Sequence, residues 1–151
     1  MARLRIDRLG RAAGALVVSS AMAGLRDPAD PADAPGAVVA SPAAVAAARA
    51  YVADRATARL VGMLGTPDPR PDEALVLVPC AAVHGVGLRA RIGVVFVDRR
   101  GCVLRVVDPL PRRGASCRGA HAVIEAASGV LDLAPGDRVW LAGAALFPHG
   151  G

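Results

Sequence analysis

Two segments of this 151-residue chain repeat one spacing, Cys80-Ala-Ala-Val-His84 and Cys117-Arg-Gly-Ala-His121. A separation of four places thiol and imidazole on one face, in helix or strand alike. Three kinds of chemistry would follow if the two segments were neighbours. The plainest alternative is that Cys80, Cys102 and Cys117 are small buried apolar side chains, as cysteines often are, with His84 and His121 satisfied by nearby carbonyls. A disulfide between Cys80 and Cys117 ranks next, provided the protein is exported, and leaves Cys102 as the odd thiol. Third is a tetrahedral zinc site from Cys80, His84, Cys117 and His121, although closed zinc sites usually have tighter cysteine pairs. Zinc is the one cofactor that the spacing would suit; nothing else in the chain calls for a cofactor. Last comes a thiol nucleophile beside an imidazole that lowers its pKa. Glu125 and Asp108 are the carboxylates left to orient such a pair.

A second candidate is cationic. Arg89 and Arg91 lie two apart and share a face if the segment is extended, and Arg112-Arg113 follows in a proline-rich loop. With His84 they suit a small anionic ligand, because guanidinium forks pair with phosphate and carboxylate. The simpler reading, which is preferred, is a solvated strand edge on which charge discourages edge-to-edge pairing.

The elements that must carry these residues follow from pattern. From Ala74 onward the chain reads as strands. "ALVLVP" is a short apolar run ending at proline, and "IGVVFV" and "CVLRVV" are β-branched runs joined by Asp98-Arg99-Arg100-Gly101. That pair predicts a hairpin over Ile92 to Val107. "HAVIEAA" and "RVWLA" are further strands, Ser128 to Leu133 reads as one helical turn, and Pro135-Gly136-Asp137 as a turn. Ahead of them, Ser41-Pro42 reads as an N-cap with proline at the first helical position, and Gly65 as a stop. Between them Val45, Ala48, Val52, Ala56, Leu60 and Met63 recur at helical spacing, so one long helix is predicted, with a break near Val52 to Asp54 as its rival.

The N-terminus has the three parts of a secretory leader. Arg3, Arg5, Arg8 and Arg11 precede an apolar stretch from Ala12 to Leu25, and Ala21-Met22-Ala23 offers small residues at the positions a signal peptidase reads. The stretch is too short to span a membrane. Its rival is a hairpin of strands Leu4 to Ile6 and Leu16 to Ser19. The resulting division is residues 1–23 as leader, 24–40 as a Pro/Asp/Ala-rich linker, 41–145 as a single β-rich domain with a leading helix, and 146–151 as a tail. The expected location is exported or envelope-associated, with the cytoplasm as the alternative.

Composition narrows the partners. The net charge is +5, yet all 18 basic residues are arginine, and lysine, asparagine and glutamine are absent. With the excess of Ala, Gly, Pro and Val, this is what the codons of a high-GC bacterial genome produce. Nucleic-acid binders cluster their cations and interleave aromatics for stacking. Here the arginines are scattered and the aromatics number four, so nucleic acid is a poor candidate partner.

The succession "VADRATARLVGMLG", "LVLVPCAAVHGVGLRARIGVVFVDRRGCVLRVV", "CRGAHAVIEAASG" and "LAPGDRVWL" resembles the bacterial and archaeal domain of unknown function 192, also called uncharacterised protein family 0127. The resemblance covers Val52 to Leu141. It implies a small β-rich domain, often behind a signal or anchor, and no known activity. The chain departs from the family's central pattern: Gly85 stands where Thr is usual, Leu88 where Met, Arg91 where Pro, and Gly93 where Asp. His84, Arg89 and Ile92 are kept. A chemistry that the family ran through that Thr and Asp would be lost here. Elements and resemblance together predict an α+β, β-rich fold: a small barrel-like antiparallel sheet with one N-terminal helix. The expected function is a non-enzymatic module that binds a partner protein or small ligand, with the Cys–His site as the alternative.

Overall fold

The computed structural model describes residues 11–19, 44–65 and 69–141. Its strands are β1 (Arg11–Ser19), β2 (Ala44–Ala53), β3 (Glu73–Leu77), β4 (Ala82–Val83), β5 (Ile92–Val97), β6 (Val103–Val107), β7 (Ala115–Ser116), β8 (Ala122–Ala127) and β9 (Arg138–Leu141). Among the described residues one short helix, α1 (Ala56–Val61), runs into a 3-10 turn over Gly62–Gly65. Seven strands form one sheet in the order β6-β5-β8-β3-β2-β1-β9, and β4 pairs with β7 separately.

The long helix expected between Ser41 and Leu64 is not formed. Its first half is β2, and helix begins only at Ala56, just beyond the rival break at Val52 to Asp54. Alanine's helical preference is worth only tenths of a kcal/mol per residue over most others, and tertiary pairing overrides it. Here β2 pairs with β1 on one side and, in parallel, with β3 on the other, while Ala50 and Val52 go into the interior. Parallel neighbours need a crossover, and α1 with its 3-10 turn supplies it. That connection lays Met63 on the sheet's outer face.

The expected antiparallel barrel is corrected in two respects. The β2–β3 pair is parallel, and the sheet is rolled but not closed. Its edge strands meet through a single bridge, Cys102 to Arg138, flanked by Val103 N–H to Asp137 C=O (2.8 Å) and Val139 N–H to Gly101 C=O (2.9 Å). Strand alternation then divides the apolar residues between two faces. Val76, Val95, Val97, Ile124, Val139 and Leu141 fill the inside. Leu75, Leu77, Ile92, Val94, Phe96 and Val123 face outward and are covered by Met63 and the loops that carry Cys80, Val83, Leu88 and Leu110. Both faces are buried, so β5 and, after Glu73, β3 read as apolar runs.

The hairpin over Ile92 to Val107 forms as expected. Asp98 shapes its turn: Oδ1 accepts the N–H groups of Arg100 (2.8 Å) and Cys102 (2.9 Å), while Gly101 takes φ +78°. Residues 128–130 form a hydrogen-bonded turn rather than a turn of helix, with Val130 N–H on Ala127 C=O at 3.2 Å. At the N-terminus, Leu16 to Ser19 lies within β1, whereas Leu4 to Ile6, the linker 24–40 and Ser41-Pro42 lie outside the described residues.

Candidate functional site

The outer face of β8 carries an exception to its apolar run. Glu125 sits opposite Leu75 of β3 and Val94 of β5, and is 4% exposed. Its Oε2 accepts the N–H of Met63 at 2.9 Å. The 3-10 turn can approach this closely because residue 62 is glycine, at φ +47°; a Cβ there would lie 3.0 Å from Oε2 and 3.4 Å from Oε1. Burial pushes the carboxyl up to about 7, against a smaller downward pull from the Met63 hydrogen bond.

Beside Glu125 is a cavity of about 330 Å³, walled by Met63, Leu64, Leu77, Val83 and Leu88 and bordered by Arg59, Cys80 and His84. Arg59 is tied to backbone, donating to Asp54 C=O and, at 3.2 Å, to Val78 C=O. The Cys80 thiol donates to Ala82 C=O at 3.2 Å. Burial pushes this thiol up, with Glu125 adding to the effect and Arg59 opposing it. A thiol held protonated is a poor nucleophile.

The two Cys–His segments do run side by side. Cys80 N–H donates to His121 C=O (2.9 Å), Cys117 N–H donates to Ala81 C=O (3.0 Å), and β4 pairs with β7. The two histidines border different pockets: His84 the Glu125 cavity, and His121 an open cleft of about 670 Å³ with Asp98, Arg99 and Arg100, while Cys80 lies between them and lines both. Cys117 packs on the outer core. All three cysteines are free thiols, and among the described residues no group of three or more His, Cys, Asp or Glu is arranged to hold a metal ion. Arg89 and Arg91 are both exposed, and neither guanidinium has a partner among the described residues. The Arg112 loop approaches through backbone, its carbonyl accepting Gly85 N–H at 3.2 Å.

The unusual glycines of the central segment have structural counterparts. A Cβ on Gly85 would strike Pro111 O and lie 3.0 Å from Arg112 Cα, so the backbone here has no room for a threonine. A Cβ on Gly93 would lie 2.6 Å from Asp108 Oδ2. The carboxylate of Asp108 thus occupies the space that a side chain at 93 would enter. It is held there by Ser128 Oγ–H and by Gly129 N–H (2.7 Å). Leu88, another departure, lines the Glu125 cavity.

Sequence reasoning named Glu125 only as a partner for a Cys–His pair. The signal for more was present: one acid in the middle of the otherwise apolar run "HAVIEAA".

Known proteins bear on the fold and the family. The family DUF192, described as Uncharacterized ACR, matches residues 37–141. No curated protein matches the chain. A crystal structure from Sinorhizobium meliloti 1021, of a protein named as a candidate transcription regulator, aligns with TM-score 0.67 and 12% identity over 89% of this chain and 97% of its own. A protein of unknown function from Novosphingobium aromaticivorans DSM 12444 aligns with TM-score 0.58 and 14% identity, over 83% of each chain. At such identities the likeness shows the fold.

Proposed function

This chain belongs to the DUF192 family, and we propose that it is a non-enzymatic module that binds a small ligand in the cavity beside Glu125. The carrying observation is the carboxyl itself: a buried acid with one oxygen bonded to Met63 and the other without a partner among the described residues, set against apolar walls. Leaving a buried polar atom unsatisfied costs about 1–3 kcal/mol, so the arrangement favours an incoming group that completes it. A concave, mostly apolar pocket with a few convergent polar groups is the usual form of a small-molecule site. Its volume lies at the small end of the range. His84 at the rim and the exposed Arg89 and Arg91 beyond it are the groups open to the charged part of a larger ligand or partner.

Catalysis is not favoured by the same geometry. The Cys80 hydrogen bond goes to a carbonyl, and burial holds the thiol protonated. A thiol- or metal-dependent site remains the second reading because Cys80 and His84 share the cavity. It predicts rapid alkylation of Cys80 at neutral pH, or zinc carried through purification and lost in His84→Ala.

Export is the other part of the proposal, supported by the basic, apolar and small-residue succession of residues 1–25. That segment also supplies β1, so processing after Ala23 would open the sheet between β2 and β9.

The test of the binding reading is a small-fragment screen followed by amide NMR. Shifts clustered on Met63, Leu64, Val83 and Leu88, and abolished when Ala82→Phe blocks the cavity from its exposed border, are expected. Fragment shifts scattered over the surface, or unchanged by Ala82→Phe, would refute it.

A further inference from the structure

The other buried acids described, Glu73 and Asp137, are engaged: Glu73 with Arg70 at 3.7 Å, and Asp137 with Ala134 N–H at 2.8 Å. Glu125 differs, since Oε2 accepts one N–H and Oε1 has no partner among the described residues. The groups that face it can be named element by element. From β3 and β5 they are Leu75 and Val94, which carry no charge. From α1 comes Arg59, whose Nη1 donates to two carbonyls; from the 3-10 turn come Gly62 and Met63. From the loops come Cys80, a thiol, and His84.

This setting discriminates among ligands by charge. An anion would meet a carboxyl in apolar surroundings, and the one guanidinium at the border, Arg59, is held through Nη1 on backbone carbonyls. A cation would have to leave water for a cavity already bordered by Arg59, and among the described residues no second acid lines the wall to assist. An uncharged ligand with one acceptor atom meets neither obstacle. A carboxylic acid, unlike a carboxylate, can donate a hydrogen bond to it.

We propose that the cavity selects a small uncharged ligand with an aliphatic body and one hydrogen-bond-accepting oxygen, to which Glu125 donates from Oε1 as the neutral acid, with a proton taken up on binding. The proposal rests on the ligand-site reading above and adds to it the ligand class and a pH dependence. Because only the protonated protein is competent, apparent affinity scales with its fraction. With the carboxyl near 7, that fraction falls about thirtyfold between pH 5.5 and pH 8.5.

Three probes that share one ring test the charge rule: cyclohexanone, cyclohexylammonium and cyclohexanecarboxylate, each titrated into the full-length protein at both pH values and followed by amide NMR. Cyclohexanone is expected to bind tightest at pH 5.5, to shift Met63 and Leu88, and to weaken about thirtyfold at pH 8.5. Glu125→Gln, which keeps a donor at every pH, is expected to bind it equally at both. Should that variant not fold, calorimetry of the unaltered protein in two buffers of different ionisation enthalpy reads the proton uptake directly. Tighter binding of cyclohexylammonium, or equal cyclohexanone affinity at both pH values without proton uptake, would overturn the ligand class and leave the cavity reading standing. Silence from all three probes together with a negative fragment screen would remove both.

Discussion

Glu125 shows what a single misplaced charge does. Its folded pKa lies above the unfolded value of 4.5, so the folded state holds its proton to higher pH. The stabilising contribution of the neutral form is complete below about pH 4.5 and is lost as pH rises through about 7. The span corresponds to about 3 kcal/mol. Glu125→Gln, which never ionises, should gain stability relative to the parent by that order as pH is raised from 4.5 to 8; denaturant melts at several pH values read it. A parallel pH dependence in the two proteins would contradict the burial assigned to this carboxyl. Gly93 gives a complementary case. Restoring the family's aspartate, Gly93→Asp, should cost about 2–4 kcal/mol, because the new side chain meets Asp108. Combined with Asp108→Ala the cost should be well below the sum of the two single changes, since they contest one volume. Additive costs would show that the space is not shared. The sequence displays the loss of an aspartate at 93; it cannot display that a carboxylate 15 residues later stands in the gap.

Strands β3, β5, β6, β8 and β9 were legible because their runs are apolar and largely β-branched and the turns at 98–101 and 135–137 carry Asp and Gly; the two-residue strands β4 and β7 were not. The stretch Ala44–Ala53 was not. Alanine fits both periodicities, so Val45, Ala48 and Val52 satisfied a helical stripe, while the pairing that makes the segment a strand comes from β1 and β3. Likewise Cys80, His84, Cys117 and His121 were legible as two pairs of matching spacing, but neither that their segments are neighbours nor that His84 and His121 border different pockets could be read from it. The β4–β7 pair depends on close backbone approach: a Cβ on Gly114 would strike Val83 O and lie 2.8 Å from His84 Cα. Gly114, at φ +83°, should therefore tolerate alanine poorly. Gly114→Ala is expected to destabilise by about 2 kcal/mol or more and to displace the His84 loop, broadening the amide signals of Val83 and His84. A neutral effect would mean that these loops are not packed as described.

The whole molecule is a rolled sheet whose edges meet at one bridge, with β1 between β2 and β9 and Leu16 in the interior. The export proposal predicts that protein from a bacterial envelope fraction has an intact mass lacking the first 23 residues, and that this processed form melts below the full-length chain, because β1 is gone. A full-length mass in that fraction would overturn processing; full-length protein in the soluble cytoplasm would overturn export. The same spectrum reports a disulfide as a loss of two hydrogens and a bound zinc as added mass. The proposed binding site depends on a carboxyl kept from water at the edge of an apolar cavity. Its most direct test is the titration of the Glu125 side-chain carbon by NMR in the full-length protein. A midpoint near 7, moving upward when cyclohexanone is added, is the predicted result; a midpoint near the ordinary glutamate value, indifferent to the probe, would contradict it.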